Sequence, residues 1–173
     1  MNKDQKSMLF NFKAFDSKQD WRIINDGVMG GISQSEIISS KAGSLIFTGN
    51  VSLENSGGFA STRTAMPSIK VHTYKGIILR VKGDGKTYQI RLRTDRSFDG
   101  ISYRYIFFTQ PNIWIDVYAP FKNFKPTFRG RILNDAEPLA TDRIKQIGFL
   151  IADKQSGPFR IEIEWIKTYM MAK

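Results

Sequence analysis

Three groups of residues have types and spacing that could do chemistry. The first runs Trp21-Arg22-Ile23-Ile24-Asn25-Asp26-Gly27-Val28-Met29-Gly30-Gly31-Ile32-Ser33, a short apolar strand leading into clustered glycines. Glycine permits positive φ and close backbone approach. Successive backbone N–H groups there could form an anion-binding nest beside Asn25, Asp26 and Ser33. The same residues also read as a glycine-shaped turn in which Asn25 and Asp26 hydrogen-bond the backbone. The second group is Asn55-Ser56-Gly57-Gly58-Phe59-Ala60-Ser61-Thr62-Arg63-Thr64. Its small residues leave Arg63 room to reach a ligand or to pair with a buried carboxylate, for which Asp26 is the expected partner. A structural Arg–Asp bridge and a ligand contact both stay open. In the third, Arg91 and Arg93 alternate with Tyr88, Ile90 and Leu92. With Gln89 they form a polar stripe on one sheet face, and Arg104 joins from the next strand. Guanidinium forks suit carboxylate and phosphate groups, and such a stripe also serves as the solvated face of an antiparallel sheet.

Other familiar patterns fail on inspection. Gly85-Lys86-Thr87 resembles the end of a phosphate-binding loop, but the first glycine of that pattern would fall at Arg80. Glu162 and Glu164 belong to a plainly alternating strand beside Arg160 and read as a solvated face. Asp95 and Asp99 flank a turn without the full oxygen spacing of a calcium loop. There is no cysteine, and His72 is the single histidine. Disulfide frameworks, thiolate zinc sites and multi-histidine metal centres are therefore excluded within one chain. No metal or cofactor is expected, and no catalytic residue is assigned. An enzyme built on Asp26 and Arg63 is the least favoured reading.

The elements that position these residues are strands. Phe159, Ile161, Ile163 and Trp165 alternate with Arg160, Glu162 and Glu164, which predicts a strand with one buried face. The same period runs through Ile77-Leu79-Val81, Tyr88-Ile90-Leu92 and Ile113-Ile115-Val117. It places Trp114 and Tyr118 on the face opposite the latter set. Residues 102–108 are aromatic-rich, and 144–151 are continuously apolar, as in a central strand. Gly83-Asp84-Gly85 reads as a hairpin connection, Asp99-Gly100 separates the next pair, and 119–138 reads as a long crossover loop. Many short strands between turns predict an all-β sandwich or barrel, with residues 1–173 forming a single domain.

The chain has 173 residues, enough to bury roughly 70% of its unfolded surface. No apolar run approaches the ~20 residues of a membrane-spanning helix. The N-terminus MNKDQKSMLFNF has no signal-peptide core, so a cytoplasmic location is expected, with a peripheral position at a membrane also open. Lys and Arg number 26 against 16 Asp and Glu, a net charge of +10. That excess favours anionic partners and also suits a merely soluble, lysine-rich surface. Tyrosines interleaved with basic residues are a feature of single-strand nucleic-acid binders, but Tyr88 should point into the core, so nucleic acid is not expected.

Beyond WRIINDGVMGGIS, the chain carries Phe47-Thr48-Gly49-Asn50-Val51-Ser52-Leu53, Gly58-Phe59-Ala60-Ser61-Thr62-Arg63 and Gly83-Asp84-Gly85-Lys86-Thr87-Tyr88. Arg91-Leu92-Arg93-Thr94, Trp114, Pro120-Phe121, Phe124-Lys125-Pro126-Thr127-Phe128-Arg129-Gly130, Ile147-Gly148-Phe149-Leu150 and Gly157-Pro158-Phe159 follow. Together these blocks resemble the complex I intermediate-associated protein family over residues 10–167. The resemblance implies a galactose-binding-like jelly roll without enzymatic activity. It also implies a relation to a mitochondrial assembly chaperone for membrane-arm intermediates of complex I. Without that protein's N-terminal extension, the chain is expected to be a bare-domain bacterial-type member. Two functions follow as expectations. One is a binding module that aids assembly of a membrane or respiratory complex through protein contacts. The other is a carbohydrate-binding module using Trp114 and Tyr118 to stack on sugar. The expected site gathers Asn25, Asp26, Met29, Gly30, Gly31 and Ser33 against Arg63, with Arg91 and Arg93 on the adjacent face.

Overall fold

The computed structural model describes residues 6–13, 20–68 and 70–170. The ends of the expected domain, 1–5 and 171–173, lie outside them. The strands are β1 (Ser7–Asn11), β2 (Arg22–Ile23), β3 (Gln34–Ser39), β4 (Leu45–Val51), β5 (Ala60–Ala65), β6 (Gly76–Lys82) and β7 (Thr87–Arg93). They continue as β8 (Ser102–Phe108), β9 (Trp114–Pro120), β10 (Lys125–Phe128), β11 (Arg131–Ile132), β12 (Gln146–Ile151) and β13 (Gly157–Tyr169). Among the described residues they form two antiparallel sheets. A six-stranded sheet runs β3-β4-β13-β6-β9, with β1 added beside β13; a seven-stranded sheet runs β11-β10-β8-β7-β12-β5-β2. This is the all-β architecture that the strand spacing predicts, in the jelly-roll sandwich form that the family resemblance implies.

Alternating residues from both sheets fill the interlayer. Phe47 of β4 meets Phe159 of β13 edge-on at 4.9 Å, and Tyr88 of β7 lies 6.2 Å from Phe107 of β8. Trp21, just before β2, stacks on Phe149 of β12 at 5.7 Å. Phe149 is fully buried at the centre of the seven-stranded sheet, so the 144–151 run is a central strand because both its neighbours are strands.

Three local expectations are corrected. Gly83-Asp84-Gly85 is not a hairpin: it carries the chain from β6 in one sheet to β7 in the other. The Asp84 carboxylate fixes that crossing by accepting the N–H of Lys86 (3.0 Å), the N–H of Arg160 (2.8 Å) and the Tyr88 hydroxyl (3.0 Å). The 119–138 segment is not all loop. It contains the β10–β11 hairpin, whose turn residues Arg129 and Gly130 both have positive φ (47° and 80°), as two-residue hairpin turns require. Finally, Trp165 does not continue the inward row of β13. A register shift between Ile163 and Trp165 sends Ile166 to the core instead, as one extra residue in a strand does. Trp165 then lies under the Lys167 ammonium at 4.1 Å.

Phe149 supports both Trp21 and the floor of the outer face. Phe149→Ala is expected to lower unfolding free energy by about 3–5 kcal/mol, measured by urea denaturation; a loss under about 1 kcal/mol would mean the sheet centre is not the stabilising layer.

Candidate functional site

The outward face of the seven-stranded sheet is concave and holds a cleft of about 490 Å³. Directly opposed residues of antiparallel strands point to the same face. The register therefore lines up one row across the sheet: Arg22 opposite Arg63, Arg63 opposite Gly148, Gly148 opposite Arg91, Arg91 opposite Arg104, and Arg104 opposite Lys125. Gly148 leaves the centre of this row open. A Cβ there would sit 2.4 Å from the Thr62 carbonyl oxygen and 2.8 Å from the Arg63 Cβ. Arg93 and Gln146 lie one row along, again opposite each other.

The cleft arginines are held by neutral groups. Arg91 donates Nε and Nη2 to the Gln89 side-chain oxygen (2.9 and 2.7 Å), and Nη1 to Ser102 Oγ (2.7 Å) and Thr127 Oγ1 (3.0 Å). Arg63 donates Nη2 to the Phe98 carbonyl at 2.6 Å and lies over the Phe98 ring at 5.0 Å. Arg93 reaches the Gly100 carbonyl at 3.3 Å. Among the described residues, every ion pair except Arg129–Asp99 lies on the six-stranded sheet, and none includes Arg63, Arg91, Arg93 or Arg104. Burial, with repulsion from Arg104 and Arg93, lowers the Arg91 pKa to about 10. Burial, then Arg93 and Arg22, lowers that of Arg63 to about 10. Burial also lowers that of Arg93. All three remain cationic at neutral pH; Asp95 and Asp99 partly offset the charge of Arg63 and Arg93, and Asp153 that of Arg91, without a direct ion pair among the described residues.

Loops form the rims. Residues 94–100 fold over one end, tied by Gln146 Nε2 to the Asp95 and Ser97 carbonyls (2.9 and 3.2 Å) and by Arg129 to Asp99 (3.1 Å). Phe98, Val28 and Met29 stand at the edge, each 61% exposed. The Asp95 and Asp99 carboxylates are engaged by Ser97, Gly100 and Arg129. His72 sits exposed on the turn Val71–Thr73 and does not line the cleft.

The glycine-rich signature does a different job. Asp26 is completely buried and does not pair with Arg63, contrary to expectation. Its carboxylate accepts the Ser33 N–H (3.0 Å), the Ser33 hydroxyl (2.5 Å), the Gly58 N–H (2.7 Å) and the Phe59 N–H (3.2 Å). Ser33 Oγ in turn accepts the Ser52 N–H at 2.9 Å. Asn25 Oδ1 accepts the Ser35 hydroxyl (2.8 Å) and the Ser61 N–H (3.2 Å). The glycines are cut to fit: a Cβ on Gly31 would fall 2.4 Å from Asp26 Cγ, and one on Gly57 2.6 Å from its Oδ2. Gly30, at φ 89°, ends the 3-10 turn Asp26–Met29. Burial alone raises the Asp26 pKa; the Ser33 hydroxyl and the three backbone N–H groups outweigh it and hold the carboxyl below its ordinary value of 3.8.

Of the expected site residues, then, Arg63, Arg91, Arg93 and Met29 line the cleft. Asn25, Asp26, Gly31 and Ser33 form the staple behind its rim. Trp114 is separated from them. It lies on the outer face of the other sheet, under Lys82 (5.1 Å) and Arg80 (5.9 Å). Tyr118, 48% exposed, shares that face. Sequence reasoning missed Gly148, Gln146, Phe98 and Lys125 as cleft-face residues, because only the strand register brings them beside the arginines.

The sequence profile of the family described as complex I intermediate-associated protein 30 matches residues 10–163. The chain belongs to that family. The mitochondrial complex I intermediate-associated protein 30 of Mus musculus is 27% identical over 186 aligned residues, covering 96% of this chain and 57% of the relative. That of Drosophila melanogaster is 29% identical, covering 94% of this chain and 62% of the relative. The chain thus spans under two thirds of the length of these relatives. Among solved structures, a family 11 carbohydrate-binding module from Clostridium thermocellum, in complex with a β-1,3-1,4-mixed-linked tetrasaccharide, superposes with a TM-score of 0.71. It is 19% identical and covered over 97% of both chains. This likeness establishes the fold, a galactose-binding-like jelly roll.

Breaking the staple leaves buried donors without an acceptor. Asp26→Ala is expected to cost about 3–5 kcal/mol in chemical denaturation. Because the folded pKa of Asp26 is depressed, its contribution is present above about pH 4 and is lost as pH falls through the folded value. Asp26→Asn should therefore flatten that part of the stability loss between pH 5 and pH 2; an unchanged acid profile would contradict the assignment.

Proposed function

We propose that this chain is a non-catalytic binding module that assists assembly of a membrane or respiratory complex through protein–protein contacts, and that the arginine-floored cleft is its contact site. The observation that carries the reading is the conjunction of family membership over residues 10–163 with a cleft floored by unpaired guanidinium groups. Guanidinium groups hydrogen-bonded only to neutral partners are suited to holding an anionic group in place, which supports a binding role for the cleft. The relatives named for complex I intermediates supply the class of partner. A cytoplasmic or membrane-peripheral placement belongs to the same reading; among the described residues, no helix is long and apolar enough to cross a membrane.

A second reading, carbohydrate binding, is favoured by the fold shared with the tetrasaccharide-bound module. Its expected stacking residues, Trp114 and Tyr118, are on the sheet opposite the cleft. One face of Trp114 is already occupied by cationic side chains.

The test is capture from detergent-solubilised membranes of the source cells by immobilised protein at low and moderate salt. Respiratory-complex subunits should be recovered, and recovery should fall as salt rises, since a +10 chain steers its encounters electrostatically. Recovery of polysaccharide without such subunits would transfer the function to carbohydrate binding.

A further inference from the structure

The cation row extends beyond the main cleft. Arg104 and Lys125 line a second concavity of about 270 Å³, together with Ile106 and Ile132. The row from Arg22 to Lys125 crosses five strand intervals, or about 24 Å at the usual strand spacing. That length matches an extended chain of about seven residues. The cations are not evenly spread. Arg63 and Arg91 flank side-chain-free Gly148, about 10 Å apart at Cα, leaving a gap that an oxyanion can enter. There Arg63 offers free donors, and Arg91, with four hydrogen bonds already made to the protein, adds mainly its charge. Arg63 and Arg93 each spend a single N–H donor on the protein, so most of their donors face the cleft.

Apolar side chains accompany the row. Val28, Met29, Phe98 and Leu150 line the main cleft, and Ile106 and Ile132 the second. Among the described residues no tryptophan or tyrosine lines the main cleft, and the ring of its exposed Phe98 already lies against the Arg63 guanidinium; in the second concavity Tyr105 packs against Phe124. Saccharide and single-stranded nucleic acid are gripped chiefly through flat aromatic platforms. A peptide carrying both carboxylates and aliphatic side chains matches what the cleft presents.

Building on the partner-binding reading above, we propose that this face receives an extended acidic segment of a protein partner. The segment crosses the strands of the seven-stranded sheet. Its carboxylates sit at Arg63, Arg91 and Arg104, and its apolar side chains pack on Met29, Leu150 and Ile106. Binding relieves the repulsion among guanidinium groups that Asp95, Asp99 and Asp153 offset only in part and that make no ion pair among the described residues.

The probe is a fluorescein-labelled peptide of about eight residues alternating glutamate and leucine, followed by fluorescence anisotropy. The matching glutamine–leucine peptide should bind at least about tenfold more weakly. Arg63→Gln and Arg104→Gln should each weaken the glutamate peptide by about fivefold or more. Lys82→Gln, on the opposite sheet, should leave binding unchanged. Thermal melts of each variant separate lost binding from lost folding, and Arg104 is chosen because its side chain makes no hydrogen bond or ion pair among the described residues. Equal binding of both peptides, no effect of either arginine variant, or an equal loss in Lys82→Gln would overturn the proposal. So would oligogalacturonate or oligouridylate binding about tenfold more tightly than the glutamate peptide. If the Arg63→Gln/Arg104→Gln double variant captures membrane-complex subunits as well as wild type, this docking face is wrong while the assembly reading survives. If wild type captures none but still binds the glutamate peptide with the expected variant losses, the acidic-segment chemistry stands and the assembly reading fails.

Discussion

A single carboxylate organises the edge of the sandwich on which the cleft is built. Asp26 gathers N–H and O–H donors from Ser33, Gly58 and Phe59, joining two loops far apart in sequence. A buried charge is tolerable only where its hydrogen-bonding capacity is met, and here the donors are mostly backbone amides whose positions depend on the loops themselves. The requirement is reciprocal. Gly31 and Gly57 must lack side chains so that the chain can close on the carboxylate, and Asn25 ties the adjoining segments to Ser35 and Ser61. The loop carrying Val28 and Met29 is thereby fixed at the rim of the cleft, and β5 is fixed with Arg63 facing outward.

The two outer faces of the sandwich treat charge oppositely. On the six-stranded sheet, Lys82 and Arg160 flank Glu162, and Arg80 meets Asp116 and Glu164. That face is electrostatically satisfied by its own residues. On the seven-stranded sheet the guanidinium groups of Arg63, Arg91 and Arg93 contact carbonyls, hydroxyls and an amide, and burial depresses their pKa values, with repulsion from neighbouring arginines adding to it at Arg63 and Arg91. Net positive charge is therefore not a uniform property of this surface. Strand register gathers Arg22, Arg63, Arg91, Arg104 and Lys125 into one row on this face.

Much of the architecture is legible in the sequence because a period of two is a direct imprint of a half-buried strand. Tyr88, Ile90 and Leu92 point inward and Arg91 and Arg93 outward, as the alternation requires. Where the reading failed, the deciding contacts were non-local. Gly83-Asp84-Gly85 has the composition of a hairpin, but the pairing of β6 with β13 and β9 and of β7 with β12 and β8 makes it an inter-sheet crossing, and one of the bonds that hold it there, from Arg160 N–H to Asp84, comes from far along the chain. The bulge that turns Trp165 outward leaves no local sign, because tryptophan suits either face. The NDGVMGG and GGFAS blocks are distinctive in sequence, yet distinctiveness could not separate a ligand loop from a staple; the distances around Asp26 do. Arg63 lines the cleft but does not pair with Asp26, whose acceptor positions are filled by nearer donors from Ser33, Gly58 and Phe59.

The independence of staple and cleft is tested most directly by carbon-detected NMR titration of the Asp26 side-chain carboxyl in wild type and in Arg63→Gln. The Asp26 midpoint should lie below 3.8 in both proteins, because its stabilising donors are Ser33, Gly58 and Phe59. A midpoint in the ordinary aspartate range, or one that rises when Arg63 is neutralised, would show that the carboxylate depends on the arginine after all and would contradict the separation of the fold signature from the binding face.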